Sequence, residues 1–109
     1  FGASTGAAAA LVAAAHDPDV AAVVSRGGRP DMAGPALGRV HCPTLLIVGG
    51  RDEEELALNQ HALNHLGGAK QLAVIPGATH LFEEPGTLDE AARLAAEWFA
   101  RHLHPRGTS

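Results

Sequence analysis

Thr44-Leu45-Leu46-Ile47-Val48-Gly49-Gly50-Arg51-Asp52 is the stretch that decides the fold. Thr44 to Val48 is an unbroken, largely apolar run ended by a glycine pair. Continuous hydrophobicity, in place of alternation, suits a strand covered on both faces and therefore a parallel sheet. Parallel neighbours need long crossovers, and the flanking sequence supplies them. Downstream, Glu53 to Leu66 reads as a helix, with acids in its first turn and Gly67-Gly68 as its stop. Gln71 to Ile75 follows as another strand, ended by Pro76-Gly77. Upstream, Val20 to Val24 is a short β-branched run bounded by Pro18 and Gly27-Gly28, and reads as a buried strand.

The outer segments complete the pattern. Thr5 to Ala15 is rich in alanine and leucine, strong helix formers, and proline stops it after His16-Asp17. Residues 25 to 39 carry the glycine and proline density of a long loop with one helical turn. Leu88 to Leu103 is amphipathic, with Leu88, Ala92, Leu94, Ala95, Trp98 and Phe99 on one stripe. Thr87 is placed to cap that helix, with Glu90 completing a capping box. Alternating helices and strands predict an α/β fold, a small three-stranded parallel sheet flanked by helices. Any ligand site then lies beyond the carboxyl ends of the strands.

Bulk properties narrow the function classes. At 109 residues the chain is one domain at most, spanning 1–109. Its 8 basic and 12 acidic residues form no run of either sign, which argues against nucleic acid or a polybasic membrane anchor as partner. No apolar stretch approaches the roughly 20 residues that span a bilayer. No basic-then-apolar leader opens the chain, so a cytoplasmic location is expected. The absence of an initial Met is expected of a chain processed or cut from something longer. The single cysteine, Cys42, excludes an intramolecular disulfide and reads as a small apolar residue entering a strand.

Each predicted strand end carries one notable residue. Gly2-Ala3-Ser4-Thr5-Gly6 has the G-x-S-x-G form of a nucleophile elbow, in which a serine sits on a strained turn between strand and helix. Small flanking residues avoid collisions with the neighbouring backbone, and the Thr5 N–H at the start of the helix is a candidate oxyanion donor. Ser4 reads equally as a plain helix cap in an Ala/Gly-rich stretch. Asp52 follows the strongest strand and is also an ordinary N-cap ahead of Glu53-Glu54-Glu55. His80, in IPGATHLFEEPG, follows the third predicted strand, where a surface-loop histidine is the plain alternative. Serine, then acid, then histidine is the chain order of the α/β-hydrolase triad.

GASTG, VVSRGGRPD, CPTLLIVGGRDEE and IPGATHLFEEPG together cover nearly the whole chain. They resemble the C-terminal half of an α/β-hydrolase of the dienelactone-hydrolase-like, serine esterase branch. SRGGRPD is also similar to hydrolase domains fused to phosphoribosyltransferases. The resemblance implies Ser4 as nucleophile, Asp52 as acid and His80 as base, acting on a small-molecule ester or lactone without a cofactor. Dienelactone hydrolases proper carry cysteine at the elbow, so Ser4 points to an esterase-like relative. The family's sheet also has strands ahead of the elbow, and a second oxyanion donor with them, which this chain does not contain.

Ser25, Arg26 and Arg29 fall in the expected loop after the first strand and are candidate substrate contacts, or simply solvated loop residues. His61 and His65 stand at i, i+4 on one helix face, but no third ligand is evident and no metal site is expected. The edge of Val20–Val24, lacking a neighbour, predicts self-association, with a closed homodimer the commonest form. A catalytically impaired domain that acts through a partner or a second copy is the rival to an active hydrolase.

Overall fold

A computed structural model describes residues 2–3, 5–17, 19–27, 30–79 and 82–102, leaving aside the side chains at 2, 3, 5, 7, 8 and 31. The chain runs β1 (Gly2–Ala3), α1 (Thr5–His16), β2 (Val23–Arg26), a 3-10 segment (Pro30–Arg39), β3 (Thr44–Gly49), α2 (Glu53–His65), β4 (Lys70–Ile75) and α3 (Thr87–His102). The strands form one parallel sheet in the order β1-β2-β3-β4. The expected parallel strands flanked by helices are present, with a fourth, two-residue strand beside them. β1 sets Gly2 beside Ser25 and Ala3 beside Arg26, so the edge expected to be bare is partly paired.

β2 also differs from expectation, starting at Val23 and running on to Arg26. Hydrogen bonding explains the shift. The Val20 N–H turns back to the Asp17 carbonyl at 3.2 Å, whereas the Val23 N–H reaches the Pro43 carbonyl at 2.9 Å, where pairing with β3 begins. Valine propensity marks the region, and the available partner fixes the start.

The two faces of the sheet separate by residue parity. Val23 and Leu46 meet Leu11 and Ala14 of α1, Ala33 and Leu37 of the 3-10 segment, and Ala62 and Leu66 near α2. Val24, Leu45, Ile47 and Ile75 meet Ala91, Ala95 and Trp98 of α3. Right-handed crossovers between strands in sequential order put every connection on one face, leaving the other to the helix after the last strand. Every residue of β3 is buried, as its unbroken apolar run implies. Each large aliphatic side chain so covered contributes about 1.5–3 kcal/mol.

Two local expectations give way. Thr87 is not a cap: it is buried within α3, and its hydroxyl donates to the Glu84 carbonyl at 2.7 Å. Glu90 turns to an ion pair with Arg93, so no capping box forms. The helix therefore enters one residue earlier, and its buried stripe is Thr87, Ala91, Ala95 and Trp98, with Leu88 half exposed. The loop expected over 25–39 is mostly 3-10 helix, kinked at Gly34 (φ 55°, ψ −129°), a conformation that only glycine adopts readily.

Candidate active site

The site is built from the loops that leave the carboxyl edge of the sheet. The loop after β3 is short and fixed by its backbone. Gly50 donates to the Ile75 carbonyl at 2.8 Å, Arg51 to the Ala78 carbonyl at 2.9 Å, and Asp52 to the Gly49 carbonyl at 3.0 Å. The next loop lies directly against Gly49. A Cβ there would collide with the Ala78 carbonyl oxygen and stand 2.9 Å from that of Thr79. Glycine is required at 49 because a second loop crosses there.

Asp52 caps α2: its Oδ1 accepts the Glu55 N–H at 3.3 Å, beside the acids of the first turn. The plain reading of this residue is therefore observed. The same cap holds its carboxylate at the carboxyl edge of the sheet, half-buried, where the triad reading also requires it.

The loop after β4 crosses the sheet edge. From Ala78 and Thr79 against the end of β3 it reaches Phe82, whose ring lies under the Arg26 guanidinium of β2 at 5.7 Å. Phe82 is 3 % exposed and packs in the α3 cluster. Its φ of 57° is uncommon for a bulky residue, and burial together with the cation–π contact holds it there. The Phe82 N–H donates to the Thr79 carbonyl at 3.0 Å.

Sequence reasoning missed Glu84. Its Oε1 accepts the Thr79 N–H at 2.9 Å and its Oε2 the Thr79 hydroxyl at 2.7 Å. These two donors, the amide first, hold the Glu84 carboxyl below the usual glutamate range, with a smaller contribution from the Arg51 charge. A carboxylate reaching back over 5 residues to a threonine matches no local capping pattern, so composition and spacing gave no signal.

Ser4, His80 and Arg29 lie outside the described residues. Their neighbours in the chain are placed. Ser4 separates Ala3, the end of β1, from Thr5, the first residue of α1. The Thr5 N–H is one of the four at a helix start that lack an intrahelical acceptor. Register aligns Ala3 with Arg26 and Arg26 with Ile47, so β1 leaves the sheet at the edge where Asp52 and Thr79 stand. At about 4.8 Å per strand, β1 and β3 lie roughly 10 Å apart. In the sequence His80 directly follows Thr79.

Ser25 and Arg26 belong to β2, not to the loop after it. Ser25 is 0 % exposed, and its hydroxyl has no hydrogen-bond partner among the described residues. His61 and His65 stay on one exposed helix face, rings 4.6 Å apart, and no group of three metal-ligating side chains occurs among the described residues. Among those residues no helix is long and apolar enough to cross a membrane. A cavity of about 440 Å³ lined by Ala14, His16, Asp17, Arg39, His41 and Cys42 opens at the opposite edge, where β3 begins.

No family model matches the chain. The crystal structure of a dienelactone hydrolase from Anabaena variabilis ATCC 29413 is 59% identical, with a TM-score of 0.93 over 95% of this chain and 49% of that one. An acetyl ester-xyloside bifunctional hydrolase from Caldicellulosiruptor lactoaceticus shares the fold alone. Its TM-score is 0.60 at 17% identity, over 90% of this chain and 54% of that one. Two Mycobacterium tuberculosis proteins, from strains CDC 1551 / Oshkosh and ATCC 25618 / H37Rv, carry the provisional name phosphoribosyl transferase. Each is 66% identical over 111 residues, which is 100% of this chain and 25% of theirs. The chain thus spans about a quarter of those relatives and half of the dienelactone hydrolase, and its fold is that of an α/β-hydrolase-like fragment.

Proposed function

From a fold that matches half of a dienelactone hydrolase, we propose that this chain carries the triad of a serine hydrolase that cleaves carboxylic esters or lactones. The observation that carries the reading is the crossing loop, which runs from β4 over Gly49 to Arg26 on β2. The described ends of that loop, Thr79 and Phe82, thus lie against β3 and β2, and β2 pairs with β1, the strand that precedes Ser4 in the sequence. Asp52 follows Arg51, whose N–H donates to the Ala78 carbonyl of the same loop. The name phosphoribosyl transferase belongs to proteins of which this chain spans 25%, so that activity need not reside in this segment.

In this mechanism the Ser4 hydroxyl attacks the substrate carbonyl while His80 takes its proton. Asp52 holds the imidazole tautomer and stabilises the imidazolium that forms. The Thr5 N–H donates to the developing oxyanion, and removing one such donor costs about 10²–10³ in kcat. Collapse of the tetrahedral intermediate expels the alcohol, which receives the proton from His80. In a lactone that alcohol stays tethered to the acyl group. Water activated by His80 then releases the acid and restores Ser4.

The test is hydrolysis of short activated esters and simple lactones by the intact protein, with Ser4→Ala as control. Turnover that falls to background in the variant supports the reading. Turnover equal in the two proteins overturns it.

A second reading has one observation in its favour. β1 is a two-residue strand whose outer side has no partner among the described residues. An unpaired edge of this kind recruits another strand, so the domain acts through self-association or a covering segment. Light scattering at micromolar concentration tests it: a homodimer supports self-association, and a monodisperse monomer removes it.

A further inference from the structure

Outside the candidate active site, the last turns of α2 hold a second set of groups with chemistry of their own. His61 and His65 stand one turn apart on an exposed helix face, their ring centres 4.6 Å apart and their planes tilted by 43°. We propose that these two imidazoles chelate a divalent transition-metal ion that favours right-angled coordination, Cu(II) before Ni(II) or Zn(II). One ring is already set for this. The His65 Nδ1 lies 2.9 Å from the His61 carbonyl oxygen, which can only accept, so Nδ1 carries the proton. In the neutral ring Nε2 then keeps its lone pair, and a backbone carbonyl on the other nitrogen is a common support of a metal-bound histidine. Both side chains line a groove of about 450 Å³ together with Pro35, Leu37 and Leu58, which leaves room for an ion and its waters.

The ring spacing selects the ion. A metal about 2.0–2.1 Å from an imidazole nitrogen lies roughly 3.2 Å from the centre of that ring. Two rings at a right angle about the ion have centres roughly 4.5 Å apart, and two at a tetrahedral angle roughly 5.2 Å. The observed 4.6 Å is close to the right-angled value. Tetragonal nitrogen and oxygen coordination is the preference of Cu(II) and Ni(II), and Cu(II) also heads the affinity order for such donors. A closed cage of four protein ligands is a different kind of site, and among the described residues no group of three ligating side chains occurs. A tetragonal ion held by two imidazoles needs no third, because solvent fills its other positions. His61 lies about 13 Å along α2 from the Asp52 cap, so this site is separate from the candidate active site.

The experiment titrates the intact protein with Cu(II), followed by electron paramagnetic resonance and by thermal melting. Wild type is compared with His61→Ala, His65→Ala and a variant that combines His61→Ala with Gln60→His. All three positions are exposed and alanine is the best helix former, so the variants keep the fold. The combined variant keeps the number of histidines but sets the pair five residues apart, on diverging faces of the helix. Wild type is expected to bind one ion with the nitrogen splitting of two imidazoles, and to melt at a higher temperature as Cu(II) is added. Affinity should fall by about 10-fold or more in each of the three variants, because the second imidazole no longer binds within the same molecule. Ni(II) and Zn(II) should compete for the same place more weakly. Wild-type affinity in His61→Ala or His65→Ala, or splitting from a single imidazole in wild type, overturns the proposal. Wild-type affinity in the combined variant overturns it too, since the count of histidines and not their spacing would then govern binding. Zn(II) held more tightly than Cu(II) overturns the right-angled assignment.

Discussion

β3 and β4 share a register from Thr44 beside Lys70 to Gly49 beside Ile75, whereas β1 meets β2 only at Gly2 and Ala3. The deep side of the sheet carries Asp52 and Thr79, held by backbone hydrogen bonds from Gly50, Arg51 and Asp52 and by the clasp of the Glu84 carboxylate on the amide and hydroxyl of Thr79. The shallow side is the two-residue strand β1, which Ser4 follows in the sequence. Its stability comes from α1, whose Leu11 and Ala14 reach the common core. The side that carries Asp52 and Thr79 is thus held by many hydrogen bonds among the described residues, while the β1 side relies on fewer. Strain at a nucleophile elbow, of order 1–3 kcal/mol, persists only where the surroundings enforce it.

The contrast can be broken most severely at the centre of the deep side. Leu46 of β3 is fully buried in the cluster that holds Leu11 and Ala14 of α1, so Leu46→Ala is expected to cost about 2–5 kcal/mol in chemical denaturation. A cost below 1 kcal/mol would mean that β3 does not organise the core. Gly49→Ala is expected to cost about 1–3 kcal/mol, because the added Cβ must displace the carbonyl of Ala78. It should lower activity beyond the stability loss, since both site loops move with it. An unchanged melting temperature would show that the loops do not press on Gly49.

Acid sharpens the comparison. The folded pKa of Glu84 lies below that of an unfolded glutamate, so the clasp contributes fully above the ordinary value of about 4.3 and is lost as pH falls through the lowered one. Wild type should therefore lose more stability across that window than Glu84→Gln. Parallel acid profiles for the two would assign the acid sensitivity elsewhere. The smallest effect is expected on the shallow side. Ser25 buries a hydroxyl that has no partner among the described residues, so Ser25→Ala should be neutral or stabilising by up to about 1 kcal/mol. A clear loss would mean that the hydroxyl serves the elbow.

The deep side was also the legible side. Thr44–Val48 announced itself because full burial on both faces demands an unbroken apolar run, and the glycines after it marked the turn. β1 gave no signal, since two residues carry no periodicity and pair only because β2 offers an edge. The 3-10 segment was hidden by Gly34 and Pro35, which suggest a loop but also permit a kinked tight helix. Thr87 and Glu90 matched the letters of a capping box, but other local partners three residues away, the Glu84 carbonyl and Arg93, claimed them first. Asp52, Ser4 and His80 stood out by their order in the chain. Glu84 did not, because its partner is chosen by how the loop closes and not by spacing.

The central claim is that Ser4 is a nucleophile activated by His80, and covalent trapping tests it most directly. The intact protein is treated with a fluorophosphonate and the modified peptide is mapped by mass spectrometry. The account predicts a single adduct on Ser4 that disappears in His80→Ala. An unlabelled Ser4, or labelling that survives the His80 substitution, would contradict it.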